Sequence, residues 1–375
     1  MNSKALKFKN GKFRIMQIAD TQEIPAVSPD TIKLISAALD AENPDLVIFT
    51  GDQIKGYSSF FRGSKGAENI EKTIKALIAP LEKRGIPFTA TFGNHDGQGA
   101  LCNSEQFEIY KKSPMFVYSE PASEGDDGTF CLSISDGEKD RFLIYIFDSH
   151  SNAEGGGYSA VYPEQIEWYR SVRDSFEAEN GRCLPSLVFQ HIPTPEYFDV
   201  LKPAGRFTKG AVRAYGNHKN EFYTLDPQNS GLRDFMGESP AAPYNNSGEI
   251  DAFLEKGDVL GVFAGHDHNN SFVAKYKGID LGYTQGAGFN VYGPGLNRGV
   301  RIFDINETGE YSTKTATYAE LCPGKTANPA KYALYTYAPS SVAGVTTALK
   351  EFAVAAAAIT AVAGTVKLIV NRKKK

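Results

Sequence analysis

Strands and helices alternate at the start of the chain, and this alternation restricts the fold more than any other feature. Three apolar runs of strand length lie at residues 13–19, 45–50 and 87–92. Between them are two stretches, 29–41 and 68–84, in which the apolar residues have helical spacing. Ser28 precedes Pro29 at the start of the first helix, and Gly85 follows the second, as is typical of helix termini. A β-α-β-α-β order predicts a parallel sheet with right-handed crossovers.

The rest of the chain adds more strands and two helices. A hairpin is expected within residues 129–147, and helices are expected at about 163–176 and 249–256. Further strands are expected at residues 187–190, 259–263, 272–276, 279–283, 300–305 and 311–317. Residues 194–246 show little periodicity and many Pro, Gly, Asn and Tyr, which is typical of a long functional loop such as an active-site lid.

Ligand-type side chains follow the predicted strands at the point where each strand ends. These residues are Asp20, Asp52, Asn94, His191, His266 and His268. Ligands of open α/β sheets bind at the carboxyl ends of the strands, so we expect these side chains to lie at one edge. Carboxylate, amide and imidazole groups suit first-row metal ions such as Zn, Mn or Fe. Taken alone, each residue could equally belong to a turn or a surface loop.

The net charge of the chain is small, at -4. Proteins that bind long nucleic acids usually have a strongly basic surface, so this charge argues against such a partner. The N-terminus carries positive charge but lacks the apolar core of a secretory signal peptide.

The composition changes after residue 318, and the sequence predicts three parts. They are a globular domain at 1–318, a tether at 319–350 rich in Ala, Thr, Pro and Ser, and an apolar C-terminal helix with a basic end at 351–375. Nineteen helical residues, 352–370, would span ~28 Å, close to the ~30 Å of a bilayer core. This helix is a candidate membrane anchor, or alternatively an Ala-rich helix packed on the domain or on a partner. We therefore expect a cytoplasmic or membrane-associated protein.

Five short blocks occur in order between residues 12 and 306. They are Asp20-Thr21-Gln22, Gly51-Asp52, Gly93-Asn94-His95-Asp96, the lone His191 and Gly265-His266-Asp267-His268. This order resembles the calcineurin-like metallophosphoesterases, and the flanking residues look most like the purple-acid-phosphatase-like branch. The resemblance implies an α/β fold of four layers, a two-sheet β-sandwich flanked by helices, with residues 1–318 as the catalytic domain.

The resemblance also implies a centre of two metal ions, of Mn, Zn or Fe. One ion would be bound by Asp20, Asp52 and His268, with Gln22 as a further ligand. The other would be bound by Asn94, His191, His266 and, again, Asp52. A bridging carboxylate is expected chemically, because two cations ~3.5–4 Å apart repel each other and need an anion between them.

The catalytic roles implied by the resemblance involve two neighbouring residues. A hydroxide bridging the metal ions would attack phosphorus. His95 would protonate the leaving alkoxide as general acid, and Asp96 would orient and charge the His95 imidazole.

Two positions depart from the family pattern. The first block usually reads Asp-X-His, and here the third residue is Gln22, whose neutral carbonyl oxygen is a weaker donor than imidazole. We therefore expect the first metal to be held more loosely, or to be a harder ion such as Mn or Mg. The true purple enzymes have a tyrosine where this chain has Lys55, so no tyrosinate–iron colour is expected. Tyr57 lies two residues further along and is expected to be a loop residue.

The resemblance thus implies a phosphomonoesterase whose partner is a phosphorylated small molecule or a phosphoprotein, and the small net charge argues against a long nucleic acid. Candidates for contacting substrate are His150, His218 and Arg298, the alternative for each being an exposed polar residue. A phosphodiesterase acting on nucleotides or phospholipid head groups is an alternative, because the same two-metal chemistry serves both. A non-catalytic scaffold, in which Gln22 marks a weakened metal site, is another.

Overall fold

The computed structural model of the chain describes residues 6–337. In chain order its strands are β1 (Leu6–Lys7), β2 (Lys12–Ile18), β3 (Leu46–Thr50), β4 (Phe88–Thr91), β5 (Phe130–Ser135), β6 (Asp140–Ile146), β7 (Ser186–Phe189), β8 (Leu201–Pro203), β9 (Val212–Arg213), β10 (Phe222–Leu225), β11 (Phe235–Met236), β12 (Val259–Ala264), β13 (Asn270–Ser271), β14 (Val273–Tyr276), β15 (Ile279–Tyr283), β16 (Gly299–Asn306) and β17 (Tyr311–Thr317). The helices are α1 (Pro29–Glu42), α2 (Gly66–Arg84), α3 (Asn103–Lys111), α4 (Pro163–Asn180), α5 (Glu249–Leu254), α6 (Tyr318–Leu321) and α7 (Pro329–Tyr337).

The alternation at the start of the chain forms a parallel sheet, as predicted. β2, β3 and β4 are adjacent and parallel, and α1 and α2 connect them. The Ser28 side chain accepts a hydrogen bond from the backbone N–H of Asp30, which caps α1. Asn43 and Gly85 end the two helices in the left-handed conformation. With β16 and β17 added beside β2, the sheet has five strands in the order β17-β16-β2-β3-β4.

A second sheet of seven strands has the order β1-β5-β6-β7-β12-β15-β14. Its central strands β6, β7, β12 and β15 run parallel to one another. β5 pairs antiparallel with β6, and β14 pairs antiparallel with β15. These two pairs are the hairpin predicted within residues 129–147 and the two strands predicted at 272–276 and 279–283.

The two sheets pack face to face through aromatic side chains. The Phe303 ring on β16 contacts Phe189 on β7 and Phe263 on β12, with ring centroids 5.2 and 4.5 Å apart. On the seven-stranded sheet, Tyr169 of α4 packs against Phe253 of α5 with centroids 4.8 Å apart, within the same core cluster. α1 contacts α2 and β16 of the five-stranded sheet. The predicted α/β class, a two-sheet sandwich flanked by helices, is confirmed.

Residues 194–246 contain short strands instead of one irregular loop. β8, β9 and β10 form a three-stranded antiparallel sheet, and β11 pairs with β13 directly after the histidine-containing block. The expectation of a segment without regular structure was therefore wrong. Strands of two to four residues are too short to produce a recognisable alternation of apolar and polar positions. The role of the segment as a lid stays a prediction.

The end of the described chain contains α6 and α7. α6 begins one residue before the segment predicted to be a tether, and α7 lies within that segment. The compact unit that contains the sheets ends at Ala327, and α7 belongs to the following unit. The domain boundary at 318 and the tether at 319–350 stay predictions, and the predicted apolar helix at 351–375 lies outside the described residues. Within residues 6–337, no helix combines the length and the apolar character needed to cross a membrane.

Phe303→Ala tests whether the aromatic contact holds the two sheets together. Phe303 is fully buried, so loss of its ring leaves a cavity, and we expect the free energy of unfolding to fall by about 3–5 kcal/mol. Phe207 is 95% exposed, so Phe207→Ala is the control, with an expected change below about 0.5 kcal/mol. Equilibrium denaturation measures both changes. Equal losses in the two variants would contradict a role of Phe303 in joining the sheets.

Candidate metal centre

The carboxyl ends of strands from both sheets meet at one place. The backbone N–H of His266, after β12, donates to Asp20 Oδ2, after β2, at 2.9 Å. The Nδ1 atom of His191, after β7, lies 2.9 Å from the carbonyl oxygen of Thr50 at the end of β3. These contacts join the seven-stranded sheet to the five-stranded sheet at the edge where the sequence predicts a ligand site.

Asp20, Asp52 and His268 form the first group of ligand-type side chains. One ligand atom from each lies within 4.8 Å of the others, and all three side chains are buried. His268 Nε2 is 3.3 Å from Asp20 Oδ1, and His268 Nδ1 lies 2.8 Å from the carbonyl oxygen of Tyr292. The backbone carbonyl accepts from Nδ1–H, which leaves Nε2 as the atom that could bind a metal ion.

Asn94, His191 and His266 form the second group, which adjoins the first through Asp52. His191 Nε2 lies 3.2 Å from Asn94 Oδ1, 3.2 Å from His266 Nδ1 and 3.5 Å from Asp52 Oδ2. Because Nδ1 of His191 faces the Thr50 carbonyl, its Nε2 atom is the one available to a ligand. The structure therefore brings together all six residues predicted from the strand ends, with Asp52 shared by both groups.

Among the described residues, the buried His266 Nε2 atom has no hydrogen-bond partner, and the buried Asp20 Oδ1 atom has no partner besides His268 Nε2 at 3.3 Å. An unpaired buried polar group costs about 1–3 kcal/mol, and a buried carboxylate also needs a compensating positive charge. Bound cations would supply that charge to a set of oxygen and nitrogen donors of the type that first-row metals prefer. The residues present thus fit a metal centre.

The backbone at the centre is held in a conformation that most residues avoid. Asp20, Gln22, Asp52 and His266 all have positive φ angles, of 54°, 35°, 54° and 70°. Non-glycine residues with positive φ are uncommon and cluster at functional sites, where the surrounding structure holds them in place. The first, second and last blocks therefore leave their strands through residues in the left-handed region, so the strand conformation ends there.

Asp52 and His191 each stabilise the charge of the other within the centre. Burial favours the neutral form of Asp52, but His191 and His95 outweigh it and hold the pKa of Asp52 well below its ordinary value. Burial likewise opposes the charged form of His191, and the Asp52 carboxylate overcomes it, raising the pKa of His191 to about 10. Each group therefore favours the charged form of the other, and a metal ion bound by His191 would displace the imidazole proton.

The pKa values of the two histidines of the last block shift in opposite directions. Burial, followed by the positive charge of His191, keeps the pKa of His266 well below its ordinary value. His268 is also buried, but Asp20 outweighs burial and raises its pKa. His266 is therefore neutral, which is the form of imidazole that binds a metal.

His95 lies beside the centre and remains partly open to solvent. Its side chain is 28% exposed, its Nε2 atom lies 4.0 Å from Asp52 Oδ2, and its backbone N–H donates to Asp52 Oδ1 at 2.8 Å. The Nδ1 atom of His95 faces Gln98 Oε1 at 3.0 Å. Gln98, and not Asp96, therefore orients the His95 imidazole, contrary to the expectation from the resemblance.

Asp96 instead fixes the backbone around the centre. Its carboxylate accepts hydrogen bonds from the backbone N–H groups of Asp52, Ile54 and Gly93, at 2.7, 3.1 and 2.8 Å. Burial, followed by the charge of Asp52, raises the pKa of Asp96 to about 8. The residue ties the second and third blocks together, so its contribution to the centre is structural.

Gln22 lies inside the first group, as predicted, but its amide nitrogen faces the other side chains. Nε2 donates to Asp52 Oδ2 at 2.7 Å and lies 3.3 Å from His268 Nε2. The Tyr57 hydroxyl donates to Gln22 Oε1 at 3.4 Å, and the Tyr57 ring contacts the His95 ring with centroids 4.6 Å apart. Tyr57 is thus a neighbour of the centre and more than the loop residue expected.

Lys55 is at the position where the true purple enzymes have a tyrosine. Its Nζ atom donates to the carbonyl oxygen of Asn290 at 3.1 Å.

The three predicted substrate-contacting residues are placed differently from one another. Arg298 is 1% exposed and donates to the carbonyl oxygens of Gly288, Val291 and Gly295, so it braces a loop and the prediction that it binds substrate was wrong. His218 stacks on Phe198 and contacts Glu221 within the small sheet of residues 201–225.

His150 lies on the loop that borders the centre. Its ring stacks on Tyr162, with centroids 3.8 Å apart, and its Nε2 atom faces Gln165 Oε1 at 2.8 Å. The next residue, Ser151, donates from its hydroxyl to the carbonyl oxygen of Asn94 at 3.4 Å. A contact between His150 and a substrate stays a prediction.

Sequence reasoning missed two aromatic neighbours and one acid. Tyr292 stacks on His268 with centroids 4.1 Å apart, and the edge of Tyr158 contacts His266 at 4.3 Å. Glu238 accepts hydrogen bonds from the Tyr292 hydroxyl and from the backbone N–H of Asn269, at 3.2 and 2.7 Å. All three lie on irregular segments, where neither periodicity nor a motif distinguishes them from other polar or aromatic residues.

The sequence profile described as calcineurin-like phosphoesterase matches residues 13–270. The chain belongs to the calcineurin-like phosphoesterase family. It is 28% identical over 335 residues to "Probable inactive purple acid phosphatase 14" of Arabidopsis thaliana, an alignment that covers 79% of this chain and 75% of the relative. The predicted resemblance to the purple-acid-phosphatase-like branch is thereby confirmed.

A yeast relative and a solved structure extend the comparison. The chain is 28% identical over 330 residues to "Phosphatase DCR2" of Saccharomyces cerevisiae, covering 79% of this chain and 52% of that protein. A dimetal phosphatase from Danio rerio aligns over 82% of this chain and 99% of its own length, with 13% identity and a TM-score of 0.49. Membership of the family implies a dimetal centre, in agreement with the group formed by Asp20, Asp52 and His268.

Gly93→Ala tests how closely the third block packs on Asp52. A Cβ atom at Gly93 would lie 2.2 Å from Asp52 Oδ1, so the carboxylate would have to move, and we expect metal affinity to fall about 10–100-fold. Gly205→Ala is the control, because a Cβ atom there would meet Thr208 Oγ1 at an ordinary 3.5 Å. Metal content after reconstitution and dialysis measures the effect. Unchanged metal content in Gly93→Ala would show that Asp52 is not a ligand.

Proposed function

We propose that the chain is a metal-dependent phosphomonoesterase. The observation that carries the proposal is the pair of adjoining ligand groups that share the buried Asp52 carboxylate. The substrate would be a phosphorylated small molecule or a phosphoprotein. The chemical character of the donors, which combines carboxylates with imidazoles, suits Mn, Zn or Fe.

The residues that would hold the first ion are Asp20, Asp52 and His268, and those that would hold the second are Asn94, His191, His266 and Asp52. Bound ions at these places would polarise the phosphoryl oxygens and lower the pKa of a water molecule. The buried side chains keep the ligand atoms in fixed positions, so little reorganisation is needed when charge develops on the phosphoryl group.

His95 is the residue best placed to donate a proton to the leaving group. Its ring borders Asp52 but stays partly exposed, whereas the ligand side chains are buried. Gln98 Oε1 accepts a hydrogen bond from Nδ1–H, which directs Nε2 towards Asp52, and in the imidazolium form Nε2 carries the second proton that it would donate to the leaving group.

A cavity of about 340 Å³ that reaches Gln98, the partner of His95, would accommodate a small leaving group. Its lining includes Gly93, which precedes Asn94, and Ser151, whose hydroxyl donates to the Asn94 carbonyl oxygen. Gln98, which contacts His95, also lines it. Its volume falls at the lower end of the ~300–1,000 Å³ that is typical of small-molecule sites. The leaving group of a phosphomonoester would fit between Gln98 and the start of α3.

His95→Asn tests the proton-donor role. Glycerol 2-phosphate has a strongly basic alkoxide leaving group that needs a proton, so we expect kcat for this substrate to fall about 10²–10⁴-fold. The 4-nitrophenolate of 4-nitrophenyl phosphate leaves without a proton, so its kcat should fall much less. His218→Asn is the control, because His218 contacts Phe198 and Glu221 instead of the centre, and both rates should stay near those of the unchanged chain.

Equal losses on the two substrates would contradict proton donation by His95. Faster turnover of bis(4-nitrophenyl) phosphate than of the monoester by the unchanged chain would favour the phosphodiesterase alternative. That result would leave the role of the metal-binding residues intact, because both reactions use the same centre.

A second candidate function is a non-catalytic protein with a weakened metal site. One observation favours it: the Gln22 amide nitrogen donates to Asp52 and lies against His268, so in this orientation it presents no lone pair to a cation. Two equivalents of bound metal together with turnover in the unchanged chain would exclude this candidate.

Gln22→His tests whether the first metal ion binds weakly or does not bind at all. An imidazole nitrogen is a stronger donor than an amide oxygen, so we expect the dissociation constant of the weaker metal to fall about tenfold or more while turnover persists. Metal titration followed by 4-nitrophenyl phosphate assays measures both quantities. Loss of turnover with full metal content would mean that Gln22 has a specific catalytic role that histidine cannot fill.

A further inference from the structure

One part of the segment 194–246 lies along the last ligand block. These residues, 235–241, are here called the clamp, and their strand β11 pairs antiparallel with β13. The backbone N–H of Gly237 donates to the carbonyl oxygen of Asn269 at 2.8 Å, and that of Ala241 donates to Asp267 Oδ2 at 3.0 Å. The clamp is therefore bonded to the residues on either side of one ligand histidine.

Glu238 is the residue of the clamp that links this block to Tyr292. Its Oε1 atom accepts a hydrogen bond from the backbone N–H of Asn269 at 2.7 Å, and its Oε2 atom accepts one from the Tyr292 hydroxyl at 3.2 Å. Tyr292 contacts the imidazole of His268 in two ways. Its ring stacks on the imidazole, with centroids 4.1 Å apart and planes 7° from parallel, and its carbonyl oxygen lies 2.8 Å from Nδ1.

The two contacts with Tyr292 favour one orientation of the His268 imidazole. Half a turn about the Cβ–Cγ bond would exchange Nδ1 with a carbon atom and leave the Tyr292 carbonyl oxygen without its donor. In the observed orientation, Nε2 lies 3.3 Å from Asp20 Oδ1, inside the first group. Metal-binding histidines usually donate their other ring N–H to such an oxygen, which fixes the ring. Here the oxygen belongs to a residue whose hydroxyl is bonded to Glu238.

The orientation of His268 matters most for the first group of ligand-type side chains. That group contains a single imidazole, whereas the second group contains two. Among residues 6–337, neither Glu238 nor Tyr292 has a hydrogen bond or a ring contact with a side chain of the second group. Losing these contacts should therefore affect one ion much more than the other.

We propose that Glu238 and Tyr292 position His268 and thereby set the affinity of the first metal ion. Both act through His268, so they are positioning residues. The inference rests on the metal centre and not on phosphatase activity, so it can fail while the proposed function holds, and the reverse. It gives part of the segment 194–246 a fixed role beside the centre.

Glu238→Ala tests the proposal in the full chain titrated with Zn²⁺. Both bonds of the carboxylate are lost, so we expect the affinity for the first ion to fall about 10–100-fold and that for the second to change less than about threefold. Glu238→Gln keeps an acceptor for the Asn269 N–H and can donate to the Tyr292 hydroxyl, so it should restore most of the affinity. His268→Ala removes the ligand and so identifies the binding step that belongs to the first ion.

Tyr292→Phe is a milder variant, because it removes the hydroxyl and keeps the ring and the backbone carbonyl. It should weaken binding of the first ion alone, by less than Glu238→Ala does. Combined with Glu238→Ala it should cause no further loss, because the bond between the two residues is then already absent. Fully additive losses would contradict the link between Glu238 and Tyr292.

NMR of ¹⁵N-labelled histidine tests the positioning in the metal-free chain. The chain has only six histidines, so the signals can be assigned. The Nδ1–H proton of His268 should be protected from exchange by the Tyr292 carbonyl oxygen, and Glu238→Ala should lose this protection. A signal that stays equally protected in Glu238→Ala would contradict the proposal whether or not the chain binds metal.

Tyr169→Phe is the matched control. It removes another hydrogen bond between a tyrosine and a carboxylate, that of Tyr169 with Asp258, at 2.8 Å. Asp258 precedes β12, whereas His268 follows that strand, so the affinity for the first ion and the protected proton should both be unchanged.

Two results of the zinc titration would overturn the proposal. Equal losses of both ions in Glu238→Ala, together with a lower melting temperature, would indicate a general role of Glu238 in folding. Equal losses in Glu238→Gln and Glu238→Ala would show that the charge of Glu238 attracts the ion and that its hydrogen bonds do not position His268.

Discussion

The structure depends on one electrostatic constraint, the position of the Asp52 carboxylate between two groups of buried ligand-type side chains. Asp52 shares the first group with Asp20, and like charges at this separation in a protein interior repel unless cations compensate. The Asp52 carboxylate raises the pKa of His191 to about 10, so a protonated imidazole would provide part of that compensation, and a bound metal ion would replace its proton. Because His191 follows a strand of one sheet and Asp52 follows a strand of the other, the same charge pairing also joins the two sheets at this edge.

The backbone supports this arrangement without contributing ligand atoms. The Asp96 carboxylate accepts hydrogen bonds from the backbone N–H groups of Asp52, Ile54 and Gly93. These bonds fix the backbone at the turns of the second and third blocks. Asp20 and Asp52 both occupy the left-handed region, which a β-strand cannot continue, so the chain leaves each strand at once. The cost of these conformations is offset by the hydrogen bonds and close packing around them, and the ligand atoms are consequently fixed before any ion binds.

Much of the fold and of the centre could be predicted because the information is local. Each predicted ligand residue lies within four residues of the end of an apolar strand, and strand order in a parallel sheet places such residues at one edge. The role of Asp96 could not be predicted from sequence. An Asp beside a His looks the same in sequence whether its carboxylate accepts backbone N–H groups or orients the imidazole. Arg298 could not be placed either, since its partners are carbonyl oxygens of a loop whose path depends on tertiary packing. The strands of residues 201–236 were missed because they are too short to show a period.

Gln22 shows how one side chain can alter the centre while the fold is kept. Its amide nitrogen donates to Asp52, an interaction that favours the metal-free arrangement because nitrogen in this position offers nothing to a cation. Turning the amide over would present its oxygen to an ion and remove the bond to Asp52, so metal binding and that hydrogen bond compete. The Tyr57 hydroxyl, which donates to Gln22 Oε1, favours the first orientation, and Tyr57 also contacts the ring of His95. Binding of a first ion would therefore be coupled through Gln22 and Tyr57 to the residue proposed as the proton donor, and an imidazole at position 22 would remove this coupling.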